Sequence, residues 1–313
     1  MFFGELIGIY TRGKQISNRL RTQTIDSGLS WQTPAYGLIE TGGYHVAGED
    51  VLITSGYLQQ IPFADKTFFI DLPWVLNLLT PSFDRLQTHY STTEIEMRQV
   101  AERQARQTDL KACRMLANSA EVAANVTGGS VTSGSETPAG LTITNAAMLT
   151  SATVILDSLR QAAQRFDEND VPEGKRYFAC HPAQKHLLIS DRQLLDRDVQ
   201  RVPGSNGDYP SATIYMAHGF EIISSTAIKA MRTAGDYTNV TGDNNTYTAT
   251  STGTHAANAG ICFTDESAIR LVRKDLEVNS WYQESRFAHV VTSRVIDGYS
   301  TYRPETVVAL RTT

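Results

Sequence analysis

The residue pair best suited to covalent chemistry in this sequence is Cys180-His181, where a thiol stands beside an imidazole. An imidazole that removes the thiol proton turns cysteine into a nucleophile, so the pair is a candidate for a thiol or hydrolase-like enzyme. Neighbouring residues on a strand point to opposite faces, however, and Cys180 ends the apolar run 177–179. We therefore predict a buried structural cysteine, followed by a helix that opens at His181-Pro182.

Two other groups have metal-binding residue types, but their spacing is unfavourable. The acidic stretch 167–170 lacks the glycine and the distal glutamate of a calcium-binding loop. His181 and His186 are five residues apart, which does not place both on one helical face. The three cysteines are too widely separated in sequence for a zinc site or a disulfide framework. The sequence predicts no metal and no other cofactor.

Motifs of nucleotide-dependent and hydrolytic enzymes are absent from the sequence. It has no phosphate loop, no dinucleotide motif, no zinc-protease helix and no nucleophile elbow. A net charge of −5 without a basic tail argues against tight nucleic-acid binding. No apolar run approaches the roughly 20 residues that cross a bilayer, so no membrane contact is predicted. We expect a protein that is not an enzyme.

One covalent hypothesis concerns the side chains of Lys66 and Asn279. A lysine amine beside an asparagine and a carboxylate can form an isopeptide bond. The simpler interpretation, a surface lysine and an asparagine in a turn, is the one we favour. Intact-mass analysis of denatured assemblies separates the two, because only the monomer mass is expected without the bond.

The strongest secondary-structure signal is a long helix predicted over residues 91–119. Ser91 begins a capping box, and no glycine or proline follows before Gly128. Charged residues of alternating sign recur every four positions, which predicts a paired, solvated face; they are Glu94, Arg98, Glu102 and Arg106. At 1.5 Å per residue the helix is about 43 Å long. Its narrow apolar stripe predicts a strut rather than a core helix.

The segments outside the long helix differ from one another in their predicted secondary structure. Residues 31–72 are predicted to be extended, with a turn at 48–50, as in a long hairpin that needs a partner surface. The first 30 residues are predicted to form an arm without a core of its own. Residues 141–260 alternate helical and strand patterns, and residues 261–313 are mostly strand. This order predicts an α+β protein in which one subdomain is inserted into another.

Five stretches occur in a distinctive order, and they are 46–50, 67–71, 171–178, 218–222 and 298–306. Together they resemble the major capsid proteins of tailed bacteriophages of the Hong Kong 97 type, especially those of short-tailed, T-seven-like phages. The last stretch, with Arg303-Pro304-Glu305-Thr306, is similar to the closing strand of that family. The resemblance covers about residues 20–311, whereas the loops 120–140 and 233–259 match no motif of the family.

The resemblance implies the Hong Kong 97 phage capsid fold. Its parts would be an N-terminal arm (1–30), an extended β-hairpin loop (31–72), a peripheral domain with a spine helix and a β-sheet (73–140 and 261–313, helix 91–119), and an inserted axial α/β domain (141–260). The terminal strand would close the peripheral domain.

The resemblance also implies a function. The subunit would self-assemble into hexamers and pentamers that form an icosahedral shell around phage double-stranded DNA, without sequence-specific binding. Its partners would be other copies of itself, a separate scaffolding protein, a portal and, as an open option, a cement protein. Assembly would take place in the cytoplasm of a host bacterium, and the protein would then be part of the virion.

Charged residues at three places are predicted to contact neighbouring subunits. They are Glu49, Asp50 and Lys66 in the extended loop, Glu94, Arg98, Glu102 and Arg106 on the spine helix, and Arg303 and Glu305 at the closing corner.

Three alternatives remain open at this point. An encapsulin-like compartment shell shares the fold and would enclose an enzyme instead of DNA. A thiol or hydrolase enzyme would use Cys180 and His181. A surface-binding or decoration protein rich in β-structure would remain a small oligomer.

Overall fold

The computed structural model describes most of the chain, namely residues 2–36, 44, 46–48, 63–82, 92–123, 139–190, 207–208, 213–214, 216–232, 245–249 and 254–312. The predicted loop-tip residues Glu49 and Asp50 lie outside this part. So does most of the two loops for which no family motif was found.

This part of the chain contains both helices and strands. The helices are α1 (Phe2–Gly13), α2 (Thr92–Ser119), α3 (Ala152–Glu168), α4 (Pro182–Ile189), α5 (Ala227–Arg232) and α6 (Thr254–Ala257). The strands are β1 (Arg21–Thr24), β2 (Ser30–Tyr36), β3 (Phe63–Phe69), β4 (Trp74–Pro81), β5 (Leu141–Thr144), β6 (Arg176–Cys180), β7 (Gly207–Asp208), β8 (Thr213–Ile214), β9 (Met216–Ala217), β10 (Phe220–Ser224), β11 (Asn258–Thr264), β12 (Ala268–Gln283), β13 (Ala288–Thr301) and β14 (Val308–Arg311). Short 3-10 turns span Ser17–Arg19, Glu284–Arg286 and Pro304–Thr306.

A four-stranded sheet is built around the long hairpin of β12 and β13, in the order β1-β12-β13-β4. β13 pairs antiparallel with both of its neighbours, and β1 pairs in parallel with Ile269–Val272 of β12. Side chains alternate between the two faces of a strand, so one face of this sheet meets α1 and α2. The apolar contacts there come from Leu6, Tyr10, Ala101, Ala105 and Val295.

A six-stranded sheet has the order β5-β14-β11-β6-β10-β9. Its central strand β11 is buried along its whole length, because helices cover both faces. α3 and α4 cover one face through residues that include Leu159, Phe166 and Leu188, and Met148 of the turn before α3 packs with them. The second half of α2 and α5 cover the other face through residues that include Leu116, Ile228 and Met231.

The terminal strand β14 lies in this six-stranded sheet, where it pairs antiparallel with β11 and in parallel with β5. It therefore does not join the sheet of β12 and β13, and its predicted role in closing the peripheral domain stays a prediction. A 3-10 turn that begins at Pro304 separates β13 from β14 and redirects the chain. The segment 261–313 thus contributes strands to both sheets, and the proposed domain division itself stays a prediction.

The long helix is present as α2, yet most of it is not a solvated strut as predicted. From Val100 onward most of its side chains are buried, including Gln104, Lys111 and Asn118. They are accommodated because other segments supply hydrogen-bond partners. Gln104 Nε2 donates to Ser293 Oγ at 2.9 Å, and Asn118 Nδ2 donates to the Thr246 carbonyl at 3.1 Å.

The arm also differs from its prediction, because α1 packs on α2 instead of lacking a core. Leu6 and Tyr10 are buried in this contact, and the following Ile16 and Leu20 join the main core. The two helices approach so closely that a Cβ on Gly13 would lie 2.7 Å from Ala105 Cβ.

The extended segment begins and ends with an antiparallel pair of strands, β2 and β3, which we call the ribbon. Its inner face packs on the body through Trp31 and Phe68, whose stacked rings have centroids 5.6 Å apart. Its outer face presents Tyr36 and Phe63 opposite each other, and these side chains are 64% and 63% exposed.

Candidate functional site

Six charged side chains from five segments meet where the ribbon joins the body, and we call them the charge cluster. They are Lys14 after α1, Asp71 after β3, Lys111 in α2, Arg270 and Asp275 in β12, and Asp297 in β13. Three cations face three carboxylates. All except Asp275 are buried, and a buried ion is tolerated only with a well-placed partner.

The charges alternate in sign along the cluster. Lys111 Nζ lies 3.4 Å from Asp71 Oδ2 and 3.3 Å from Asp297 Oδ1. Arg270 Nη2 lies 3.1 Å from Asp297 Oδ2 and 2.7 Å from Asp275 Oδ1. The cluster therefore connects the end of the ribbon to α2 and to both strands of the long hairpin.

Asp71 attaches the end of the ribbon to the body. Its carboxylate accepts hydrogen bonds from Asn245 Nδ2 at 2.8 Å and from Tyr247 Oη at 2.5 Å, in addition to Lys111. Burial raises the pKa of Asp71, although Lys111 and these two donors oppose the rise. Burial also acts to lower the pKa of Lys111, but Asp297 and Asp71 outweigh it and the pKa is raised. Lys111 is therefore charged at neutral pH.

The arm joins the same cluster. Tyr10 Oη donates to Asp275 Oδ1 at 3.0 Å, and Lys14 Nζ lies 3.2 Å from Asp275 Oδ2. In α2, Asp109 accepts hydrogen bonds from the three successive backbone N–H groups of residues 15–17, at 2.8, 3.4 and 3.0 Å. Burial raises the pKa of Asp109, and the three N–H groups oppose that rise.

A close backbone approach completes the junction. A Cβ on Gly298 would lie 2.3 Å from the Phe69 carbonyl oxygen and 3.0 Å from Ile70 Cα. The Asp71 N–H donates to the Asp297 carbonyl at 3.3 Å. Glycine at position 298 is thus what allows the end of the ribbon to lie directly against β13.

The predicted charge ladder of α2 is formed only in part. Arg98 Nε lies 3.1 Å from Glu102 Oε1, and both side chains are exposed. Arg106 is exposed and forms no ion pair within the described part of the chain. Glu94 lies in the first turn of α2. Contacts of these residues with a neighbouring subunit stay a prediction.

The closing corner forms its ion pairs within the chain. Arg303 Nε lies 2.7 Å from Glu305 Oε1, and Arg303 Nη1 lies 2.8 Å from Glu266 Oε2. Glu305 is buried, so its geometry fits a role in the subunit's own fold rather than the predicted contact with a neighbour. Arg303 is partly exposed, and its intersubunit contact stays a prediction.

Lys66 lies on the inner face of the ribbon, where its Nζ donates to the Tyr302 carbonyl at 3.2 Å. Asn279 lies on β12 opposite Thr292 of β13. Tyr302 and Thr292 are ten residues apart, which is roughly 30 Å along a strand. An isopeptide bond between Lys66 and Asn279 of one chain is therefore not possible, and a bond between two chains stays a hypothesis.

Lys66 predicts a specific pH dependence. Burial lowers its pKa from 10.5 to about 8, against the opposing charge of Glu305. Between these values the unfolded chain binds more protons than the folded chain, so the contribution of Lys66 to stability rises with pH and is lost below pH 8. We expect wild type to become more stable relative to Lys66→Met as the pH rises. The difference between their free energies of unfolding, wild type minus variant, should increase from pH 7 to pH 10. A constant difference, measured by urea unfolding, would contradict the assignment.

The Cys180-His181 pair has the structure predicted for the non-catalytic interpretation. Cys180 is fully buried, and burial raises the pKa of its thiol to about 12. His181 caps α4, because its Nδ1 accepts a hydrogen bond from the Ala183 N–H at 3.2 Å. The prediction of a buried cysteine before a helix that opens at His-Pro is confirmed.

The same geometry predicts that Cys180 is unreactive. We expect native protein to show negligible alkylation by iodoacetamide between pH 7 and pH 9, since the thiol is both buried and protonated. Urea should expose it, together with the equally buried Cys113 and Cys262. Mass spectrometry of the labelled protein checks this result. Rapid labelling of Cys180 in the native state would revive the thiol-enzyme alternative.

Within the residues that the structure describes, no group of three or more histidine, cysteine or acidic side chains is arranged to hold a metal ion. None of the described helices combines the length and the hydropathy needed to cross a bilayer.

The charge cluster was missed by sequence reasoning. Members that pair directly are separated by up to 261 positions, as for Lys14 and Asp275, so no local spacing connects them. One signal in the sequence could have indicated it. The long unbroken helix α2 has too few apolar residues to be buried by hydrophobic contacts alone, so its burial requires polar partners from other segments.

Comparison with known proteins agrees with this fold. The profile of the Gp10A-like family, described as major capsid protein, matches residues 33–311. No curated protein sequence matches the chain significantly.

Among solved structures, the chain is similar to the capsid of cyanophage P-SCSP1u, with 23% identity over 94% of this chain and 86% of that chain and a TM-score of 0.76. It is also similar to the mature capsid of bacteriophage PhiM1, with 15% identity over 96% and 87% and a TM-score of 0.72. The capsid of Ralstonia phage GP4 follows at 14% identity over 95% and 87%, with a TM-score of 0.57. These matches confirm the Hong Kong 97-type fold. The family match covers nearly the whole sequence, and the chain therefore belongs to the Gp10A-like major capsid proteins, which form the shell of a phage.

Proposed function

We propose that this capsid protein assembles into hexamers and pentamers that close into an icosahedral shell around phage double-stranded DNA, and that it is not an enzyme. The observation that carries the proposal is the ribbon. Its inner face is fixed to the subunit's own body, while its outer face presents an exposed aromatic pair, Tyr36 and Phe63.

An isolated two-stranded ribbon is only marginally stable in water. Large aromatic side chains supply much of the energy of protein interfaces. A neighbouring copy that covers Tyr36 and Phe63 would remove them from water and also support the ribbon. The tip of the β12–β13 hairpin offers a second such surface, since Trp281, Tyr282 and Phe287 are 48%, 44% and 73% exposed.

Negative-stain electron microscopy tests this function. Wild-type protein should form uniform closed particles, alone or with its scaffolding protein, whereas only monomers or dimers under both conditions would contradict shell formation.

The double variant Tyr36→Ser/Phe63→Ser should fold with an unchanged melting temperature and give about tenfold fewer particles, since two aromatic contacts are worth more than about 1.4 kcal/mol. Met216→Ser, an exposed apolar residue outside the ribbon, is the matched control. Normal particle yield from the double variant would refute the role of the ribbon.

The remaining partners follow from the same function. A major capsid protein assembles with copies of itself and is part of the virion. A scaffolding protein, a portal, a cement protein and assembly in the host cytoplasm are parts of our proposal. A net charge of −5 suits a wall that should not adhere to packaged DNA. An encapsulin-like compartment would share the fold, and nuclease-protected genomic DNA inside the particles would exclude it.

A further inference from the structure

The four-stranded sheet has an open edge along β4. Its strand order is β1-β12-β13-β4, and within the residues that the structure describes no strand pairs with the far side of β4. An open edge presents unpaired N–H and C=O groups, and proteins usually protect it with charged side chains or bulges. β4 has no charged residue, and its register with β13 is continuous. This edge is therefore suited to pairing with another strand.

The ladder with β13 identifies the backbone groups that point outward. The Ser82 N–H donates to the Phe287 carbonyl at 2.9 Å, and hydrogen-bonded pairs alternate with non-hydrogen-bonded pairs along an antiparallel ladder. The even-numbered residues of β4 therefore bond to β13. Val75, Asn77 and Leu79 direct their N–H and C=O groups to the open edge. Their side chains are exposed, with 45% for Val75 and 41% for Leu79.

The sequence of this strand is nearly symmetric about Asn77. Residues 73–81 read PWVLNLLTP, so the apolar residues on one side of Asn77 match those on the other. Proline has no N–H group to donate, and Pro73 and Pro81 stand at the two ends, so the open row of donors is limited to the segment between them. Two copies related by a two-fold axis need such symmetry, because residue i of one meets residue j of the other and j meets i.

We propose that β4 pairs antiparallel with β4 of a second copy of the chain, about a two-fold axis at Asn77. Val75 would lie opposite Leu79 of the second copy on the open face of the sheet. Leu76 would lie opposite its Leu78 on the face that meets α2. Every apolar side chain of this central segment then meets an apolar one, and the outward N–H and C=O groups gain partners, as in other strand additions between chains.

A second copy is the occupant that the symmetry specifies, since a different partner strand would not require it. The pairing rests on the shell function, because it supplies one of the contacts between copies in the shell. It would join the two four-stranded sheets into one continuous sheet. The ribbon's outer face is not used, so the two contacts can be tested separately.

Cysteine cross-linking tests the pairing. Asn77→Cys should form a disulfide between two copies when particles are oxidised, because residues in a hydrogen-bonded pair have Cα atoms about 5.5 Å apart, which suits a disulfide. Electrophoresis without reductant should then show dimers as the main product. The native cysteines do not compete, because all three are buried.

Val75→Cys is the matched control for this variant. Its Cα would lie about 13 Å from Val75 of the second copy, four residues along the strand, so Val75→Cys alone should remain monomeric. The double variant Val75→Cys/Leu79→Cys should again give dimers, because the pairing places these two positions opposite each other. This pattern distinguishes the proposed register from any other.

Hydrogen exchange of the wild-type protein provides a measurement without substitution. The N–H groups of Val75, Asn77 and Leu79 should exchange rapidly in the isolated subunit, and about tenfold or more slowly in particles, since only there are they hydrogen-bonded. The N–H groups of Leu76 and Leu78 bond to β13 and should be protected in both states.

Several results would overturn the pairing. One is the absence of an Asn77→Cys dimer both in particles and in concentrated unassembled subunits, and another is equal dimer formation by Val75→Cys. Protection of the three outward N–H groups already in the isolated subunit would show that another segment of the same chain covers the edge. Electron microscopy of the same samples scores assembly separately. Normal particles without the cross-link would refute the pairing and leave the shell function intact, whereas a wild type that forms no particles would contradict the shell function itself.

Discussion

Replacing Lys111 with methionine is expected to lower the free energy of unfolding by about 3–5 kcal/mol, as is typical when one partner of a buried ion pair is removed. Lys111 is the cation between Asp71 and Asp297, at 3.4 and 3.3 Å. Without it, two buried carboxylates face each other, and Arg270 compensates only Asp297. Urea unfolding of the subunit measures the loss.

Two comparisons make this result specific to the cluster. Lys274→Met removes an exposed partner of Glu277 at 3.1 Å and should cost less than about 1 kcal/mol. In the Lys111→Met variant, a further Asp297→Asn change removes one of the unpaired negative charges. Asp297→Asn should therefore lower the free energy of unfolding by at least about 1 kcal/mol less in that variant than in wild type. A loss below about 1 kcal/mol for Lys111→Met, or strict additivity of the two changes, would show that the cluster does not act as a unit.

Gly298→Ala is expected to lower both stability and particle yield. The added methyl group would lie 2.3 Å from the Phe69 carbonyl oxygen, so the end of the ribbon must move away from β13. Displacement would also weaken the Asn245 Nδ2 hydrogen bond to that carbonyl, which is 2.8 Å long. Overpacking of this kind costs roughly 1–3 kcal/mol. Calorimetry measures the fall in melting temperature, and electron microscopy counts the particles.

Gly174→Ala is the control for this change, because nothing lies within 4 Å of a Cβ at that position. It should leave melting temperature and particle yield unchanged. If Gly298→Ala assembled as well as Gly174→Ala, the close contact between ribbon and β13 would not be needed to orient the ribbon.

Local chemistry in the sequence predicted several elements correctly. An unbroken run without glycine or proline gave the position of α2, and His181-Pro182 gave the start of α4. The turn before Arg176 led into β6 as expected. Each of these signals depends on residues a few positions apart, where helix capping and backbone restriction act. The order of the elements then indicated the family.

The errors arose where distant segments meet. The polar character of α2 predicted a solvated helix, whereas Gln104 and Lys111 are buried because β13 and the ribbon supply their partners. The position of β14 depends on its parallel pairing with β5, which lies more than 160 residues earlier. The arm's contact with α2 was missed for the same reason. Pairings of this kind are specified by the complementarity of whole surfaces, which no short stretch of sequence encodes.

The buried position of the charge cluster has a mechanical consequence. A neighbour that pulls on the ribbon pulls on Asp71, and the load passes through Lys111 to α2 and through Asp297 and Arg270 to the long hairpin. Dissolved ions screen exposed pairs such as Arg98 and Glu102 but reach buried pairs much less. The joint at the base of the ribbon should therefore keep its stiffness in concentrated salt, while electrostatic contacts on the surface of the subunit weaken.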